Sequence, residues 1–260
     1  MIQEQFAGLV LQCQSGDENA MEQLLLQAHT PVSCLTRKIL QNHRAAEQVT
    51  RDVLATVSTN LASLQEPAQF EQWLCRMTAA RCIQSSPLLH RSFSESGQSV
   101  FWTDDLEDGS VLNTEESAGA IQAMVDCLPA PQRLCILLLG CGELTVPAIA
   151  QLTGFSEAII KQNIKLGQNA IQQHLWELDA RGIAFSGVSS LTGILHEAMY
   201  HDPDEEAAME MVYGILGKKL PVPLSARMIP VLAITAGVLL VAALTLAGLI
   251  VLKMVNSMAG

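Results

Sequence analysis

Residues 144–164 read LTVPAIAQLTGFSEAIIKQNI, and this stretch decides the fold. Ile149 and Ala150 precede Gly154 by four or five residues, Ser156 follows two later, and Ile160 four after that. A small residue at Ala150 lets two helices cross closely. Gly154 supplies a turn, and Ser156 can accept the first free amide of a new helix. The spacing predicts a short helix, a tight turn and a longer helix. That is the pattern of a helix-turn-helix, and an αα-hairpin that touches no DNA shares it.

Outward from this stretch, apolar residues recur at helical spacing and no period-two run occurs. On the N-terminal side, Ser15 and Glu18 fit a capping box that opens the face of Met21, Leu24, Leu25 and Ala28. Thr30 and Pro31 predict a new helix burying Val32, Leu35 and Ile39. Asn42 can cap a third, with Ala46, Val49, Val53 and Val57 inward. Pro67 opens a fourth, with Phe70, Trp73, Leu74 and Met77 inward. Residues 1–84 therefore read as a four-helix domain. Residues 85–118 carry 7 acids and 1 base and read as an acidic, solvated linker. Residues 119–181 resume the helical period at Ile121, Met124, Val125 and Leu128 and end with the helix-turn-helix. In residues 182–227, Asp202, Pro203 and the acids at 204–206 open an amphipathic helix that Lys218 and Lys219 close, with Met209, Val212, Tyr213 and Leu216 on one face. The expected fold class is all-α: two small helical domains plus one C-terminal transmembrane helix.

That last element rests on residues 228–252, which are 25 residues without a charged side chain. As a helix they would cover roughly 38 Å, enough to cross a hydrocarbon core of about 30 Å. Lys218, Lys219 and Arg227 precede the run and Lys253 alone follows it. The positive-inside bias therefore predicts a single-pass protein of the cell membrane, with residues 1–227 in the cytoplasm and 253–260 outside. The segment MIQEQFAGLVLQC lacks a basic start and a long apolar run, so no cleaved signal peptide is expected. The formal net charge of −11 argues against nonspecific coating of nucleic acid, which depends on neutralising phosphates. A hydrophobic share of 49% rules out disorder over the whole length.

Catalytic and metal chemistry have little footing. The seven cysteines are odd in number and include no C-x-x-C pair, which predicts reduced thiols and no zinc site. His196 and His201 stand five apart, about 140° around a helix, whereas a zincin helix needs them four apart. No phosphate loop, G-x-S-x-G or dinucleotide turn occurs. The reading is a non-enzyme with no cofactor.

Several motifs fall in one order: Gly16-Asp17 with Ala20, then RKILQNHRAAEQVTRDVL (37–54), FEQWLCRM (70–77), LPAPQRLCILL (128–138) and the helix-turn-helix. In order and spacing the chain resembles an extracytoplasmic-function (ECF) RNA polymerase sigma factor over residues 9–84 and 119–178, with a membrane anchor added. The first domain matches region two of that family and the second matches region four. The resemblance implies DNA-templated transcription initiation on bacterial RNA polymerase core. Glu47, Gln48, Arg51 and Asp52 would dock on polymerase. Trp73, Arg76 and Arg81 would meet the promoter −10 element. Lys161, Gln162 and Lys165 would read the −35 element in the major groove. An anti-sigma or other membrane partner would fit such a protein.

The sequence departs from the family at Gln48, where Asp is usual, and at Ala80 and Gln84, where Asn and Asp are usual. Asn163, Leu166 and Gln168 stand at frequently basic positions. Residues 119–181 hold 4 bases against 5 acids, which predicts weak DNA binding. The second reading is a sigma-like membrane protein that binds polymerase or a regulator without promoter recognition.

Overall fold

A helix from Ile2 to Gln14 (α1) leads through Gly16 to Asp17, whose carboxylate accepts the amides of Asn19 and Ala20 and starts α2, Glu18–Leu40. The cap is therefore Asp17, and the Ser15 hydroxyl instead donates to the carbonyl of Gln12. The helix expected to open at Pro31 does not exist as a separate element. Pro31 lies inside α2, which runs on for nine more residues. An internal proline removes one backbone bond and costs about 3 kcal/mol or more. Here Ala28, Val32, Leu35 and Ile39 continue one buried face across it. Fully burying each large apolar side chain contributes about 1.5–3 kcal/mol, so together they offset the break.

Gln41 turns the chain in the left-handed region, and the Asn42 side chain accepts the Ala45 amide to start α3, His43–Asn60. Its expected inward residues Ala46, Val49, Val53 and Val57 are all buried. Thr36 and Thr50 meet hydroxyl to hydroxyl at 2.9 Å between α2 and α3, so these buried polar atoms are satisfied. Pro67 opens a 3₁₀ turn, Pro67–Gln69, that runs into α4, Phe70–Ser85. Phe70 is fully buried, with its ring centroid 5.2 Å from that of Phe6.

The computed structural model describes residues 2–86, 93, 100, 102, 106–140, 144–185, 190–199 and 204–219. Within the stretch read as a linker, β1 (Val111–Leu112) pairs in parallel with β2 (Ala184–Phe185). Asn113 and Glu116 then form a reciprocal capping box at the start of α5, Thr114–Cys127. Further helices follow: α6 (Ala130–Gly140), α7 (Val146–Thr153), α8 (Glu157–Ala180), α9 (Leu191–Met199) and α10 (Glu205–Leu216). The described chain is thus nearly all helix. The aromatics ahead of α5 pack on α8 and the turn before it: Phe93 stacks on Phe155 with centroids 4.6 Å apart, and Trp102 stacks on His174 at 4.3 Å.

Residues 1–218 form one compact unit. Within it α2 meets the end of α5, and α6 beyond it, through a polar seam. Lys38 pairs with Asp126 at 3.0 Å, and Gln41 donates to the Asp126 carbonyl. Helices α6 and α8 cross where Gly167 leaves room, since a methyl group there would lie 3.1 Å from Ile136. Among the described residues no helix is long and apolar enough to cross a membrane. The run 228–252 lies outside the described residues, as does His201.

Candidate functional site

Around Gly154 a short helix, a tight turn and a longer helix follow one another. Helix α7 carries Pro147 in its first turn, where a missing amide hydrogen costs nothing. Gly154 then takes φ +76°, and its amide donates to the Ala150 carbonyl at 2.9 Å. A side chain at that φ is strained, which explains the glycine. Ser156 accepts the Ile159 amide and starts α8. Ile149, Ile160 and Ile164 are buried between the two helices and the rest of the core.

Lys161, Gln162 and Lys165 all stand exposed on α8. Spacings of three and four residues put them on one face. Lys161 also pairs with Glu157 at 3.2 Å, an exposed i,i+4 contact of the kind worth a few tenths of a kcal/mol. Lys165 has no acidic partner among the described residues. Asn163, by contrast, donates back to the Ile159 carbonyl at 2.9 Å. Seven and eleven residues beyond Lys165, Gln172 and Trp176 return to the same face, and Trp176 is 67% exposed. That exposed indole was not singled out from the sequence. Helical phase measured from Lys165 would have found it.

On α4, Trp73 is half-buried, with its ring 5.9 Å from Phe70, so it serves the core whatever else it touches. Arg76 is exposed one turn away and reaches Gln72 at 3.4 Å. Arg81 is also exposed, but five residues from Arg76 it stands about 140° around the helix. The fold therefore groups Trp73 with Arg76 and sets Arg81 apart.

On α3, Glu47, Gln48, Arg51 and Asp52 form an exposed edge, with Glu47 and Arg51 3.8 Å apart. The neighbour of this edge is α10. Its N-cap is Asp204, whose carboxylate accepts the Ala207 amide; Asp202 and Pro203 lie outside the described residues. Its buried face is Ala208, Met211 and Val212, rotated from the face expected at Met209 and Tyr213. Tyr213 and Lys218 instead bond the two oxygens of Glu22 on α2, at 2.6 and 2.8 Å. The Lys218 and Tyr213 hydrogen bonds hold the Glu22 carboxyl below its ordinary range, and the same contacts raise Lys218 and Tyr213. Between α10 and the α2–α3 edge lies a cleft of about 260 Å³ lined by His29, Arg37, Glu47, Arg51, Asp204 and Glu210 among others. Burial, with Arg37 adding to it, lowers the His29 imidazole below its ordinary value. Its Nδ1 is buried and has no hydrogen-bond partner among the described residues.

Among the described cysteines, burial pushes Cys75, Cys82 and Cys135 up to about 12 and Cys13 to about 11. These are thiols held far from the reactive thiolate. A second cleft of about 420 Å³ lies between α5 and α8, lined by Leu106, Leu112, Ala120 and Met124 together with Glu116, Trp102 and His174. No protein-family model matches the chain, and no curated protein matches it either.

Proposed function

We propose that this chain is a membrane-tethered sigma factor of the ECF class, directing bacterial RNA polymerase core to promoter DNA. Its function is then transcription initiation without covalent chemistry of its own. The observation that carries the reading is the turn at Gly154 and Ser156, which presents Lys161, Gln162 and Lys165 together on the exposed face of α8. A major groove admits such a helix, and its N-terminal half meets base edges. In support, the exposed edge of α3 and the Trp73–Arg76 group of α4 precede it in the family's order. The uncharged run 228–252 is the proposed anchor, with the N-terminal parts in the cytoplasm.

Mixing the full chain with core polymerase and a library of promoters tests this. Stable holoenzyme that initiates from a subset of promoters is the expected result, and failure to bind core polymerase would remove the assignment. A second reading is favoured by the Lys161–Glu157 pair and the net charge of −1 over residues 119–181. In it the chain binds polymerase, or a regulator at the membrane, without reading promoters. Polymerase binding without initiation from any promoter would select that reading.

A further inference from the structure

Helix α10 fills the groove between α2 and α3, beside the edge that carries Glu47 and Arg51. Its apolar stripe, Ala208, Met211 and Val212, is buried there, with Val212 fully enclosed. At Gly214 an added methyl group would meet the Arg51 guanidinium at 3.8 Å, an ordinary contact, so α10 passes beside that side chain. At its C-terminal end Tyr213 and Lys218 clasp Glu22. Asp204 at its N-cap and Glu210 midway along it line the cleft with Arg37 and Arg51. An acidic helix thus lies beside an edge supplied with arginines, and it flanks Glu47 and Arg51, whose side chains stay half exposed.

The contact is specific but incomplete. The cleft of about 260 Å³ leaves His29 Nδ1 buried without a partner among the described residues, and a well-packed interface would fill or hydrate such a space. At 12 residues α10 is too short to persist alone, because isolated helices below about 12–15 residues are marginal in water. Its helical form depends on the groove. Once displaced it would unravel and leave the groove open. Such an element has two states, and whatever binds the open state shifts the balance.

We propose that α10 competes in cis with polymerase for the α2–α3 edge, so that polymerase must displace α10 to dock. The inference rests on the sigma-factor reading of Glu47 and Arg51. Affinity for polymerase is then reduced by the fraction of chains in which the edge is open. Displacement is also reciprocal: polymerase must loosen α10 as much as α10 weakens polymerase.

The experiment uses the full chain and two variants. Glu22→Ala removes both clasping bonds at a part-buried position, and Val212→Asp places a charge in the buried stripe. Amide hydrogen exchange of α10 and equilibrium binding to core polymerase are measured on all three. The expected result is exchange in α10 at least about tenfold faster in both variants, with α4 unchanged, and polymerase binding about fivefold to tenfold tighter. Adding polymerase to the parent should accelerate exchange in α10. Should Val212→Asp prevent folding, Glu22→Ala alone decides the outcome. Faster exchange with equal or weaker polymerase binding overturns the competition and leaves the sigma-factor reading standing. Unchanged exchange in Glu22→Ala overturns the clasp, and the competition with it. Absence of polymerase binding in the parent and both variants overturns the sigma-factor reading itself, along with the inference built on it.

Discussion

The Arg133 Nε donates to the backbone carbonyl of Lys38 at 2.9 Å, across the seam between α6 and α2. Its Nη1 donates to the carbonyls of Leu128 and Asp126, at 2.6 and 3.3 Å. One buried guanidinium therefore closes three carbonyls from two parts of the chain that lie about ninety residues apart in sequence. Burial works against its charge, and Asp126 nearby favours it. Replacing Arg133 with Met keeps much of the volume but leaves those carbonyls unpaired. Each such loss costs about 1–3 kcal/mol, reduced where water can enter. Urea unfolding of Arg133→Met should show a loss of about 2–4 kcal/mol, and a loss under about 1 kcal/mol would contradict the bridging role.

His29 makes stability depend on pH. Its folded value lies below the ordinary 6.5 because burial, and then Arg37, disfavour the imidazolium, while Asp204 opposes them. Below 6.5 the unfolded chain takes up a proton that the folded chain resists. Stability is therefore lost as pH falls below 6.5, until the folded imidazole is protonated as well. His29→Leu should flatten that slope relative to the parent, read from melting temperatures across this window. An unchanged slope would mean that the imidazole is protonated equally in both states. The Glu22 carboxyl, lowered by its own partners, contributes stability that is present above its ordinary 4.5 and lost only at lower pH, so the two effects separate.

The thiols divide by burial. Cys75, Cys82 and Cys135, pushed up to about 12, should resist maleimide in the native protein at neutral pH. After denaturation without reductant, all seven should label. Fast native labelling at Cys75 would show that α4 opens far more readily than its packing implies.

The turn itself is testable by one methyl group. Gly154→Ala has open space around it, so its cost comes from φ +76° alone. The expected loss is about 1–2 kcal/mol, read as a fall in melting temperature. Ser156→Ala should cost about 0.5–2 kcal/mol through the lost cap. Neutral behaviour of Gly154→Ala would mean that this turn is not held in the left-handed region.

What the sequence made legible was local. Asn42, Gly154 and Ser156 act within four residues of themselves, and each does in the fold what its neighbours predict. The buried faces of α3 and α5 followed from their spacing for the same reason. Pro31 misled, because a proline after a threonine resembles a helix start and only tertiary burial lets α2 continue through it. Asp17 displaced Ser15 as the cap because the turn at Gly16 brings its carboxylate onto two amides. Contacts between distant parts left no local mark. Nothing near Arg133 announces Lys38, nothing near Phe93 announces Phe155, and the phase of α10 was set by the groove it fills. The exposed residues of α3, α4 and α8 could be named from the sequence. Their grouping, with Arg81 apart and Glu47 and Arg51 beside α10, needed the fold.

The central claim is that α8 reads promoter DNA while polymerase is held elsewhere on the chain. It is tested most directly by abortive-transcript yield from a −35-dependent promoter, with core polymerase and either the parent or Lys161→Ala combined with Lys165→Ala. Removing two cations from the exposed face of α8 would take away the proposed phosphate or base contacts without touching α3. The double variant should lose initiation, to under about a tenth of the parent, while binding core polymerase with the parent's affinity. Initiation by the double variant at the parent's level would contradict it.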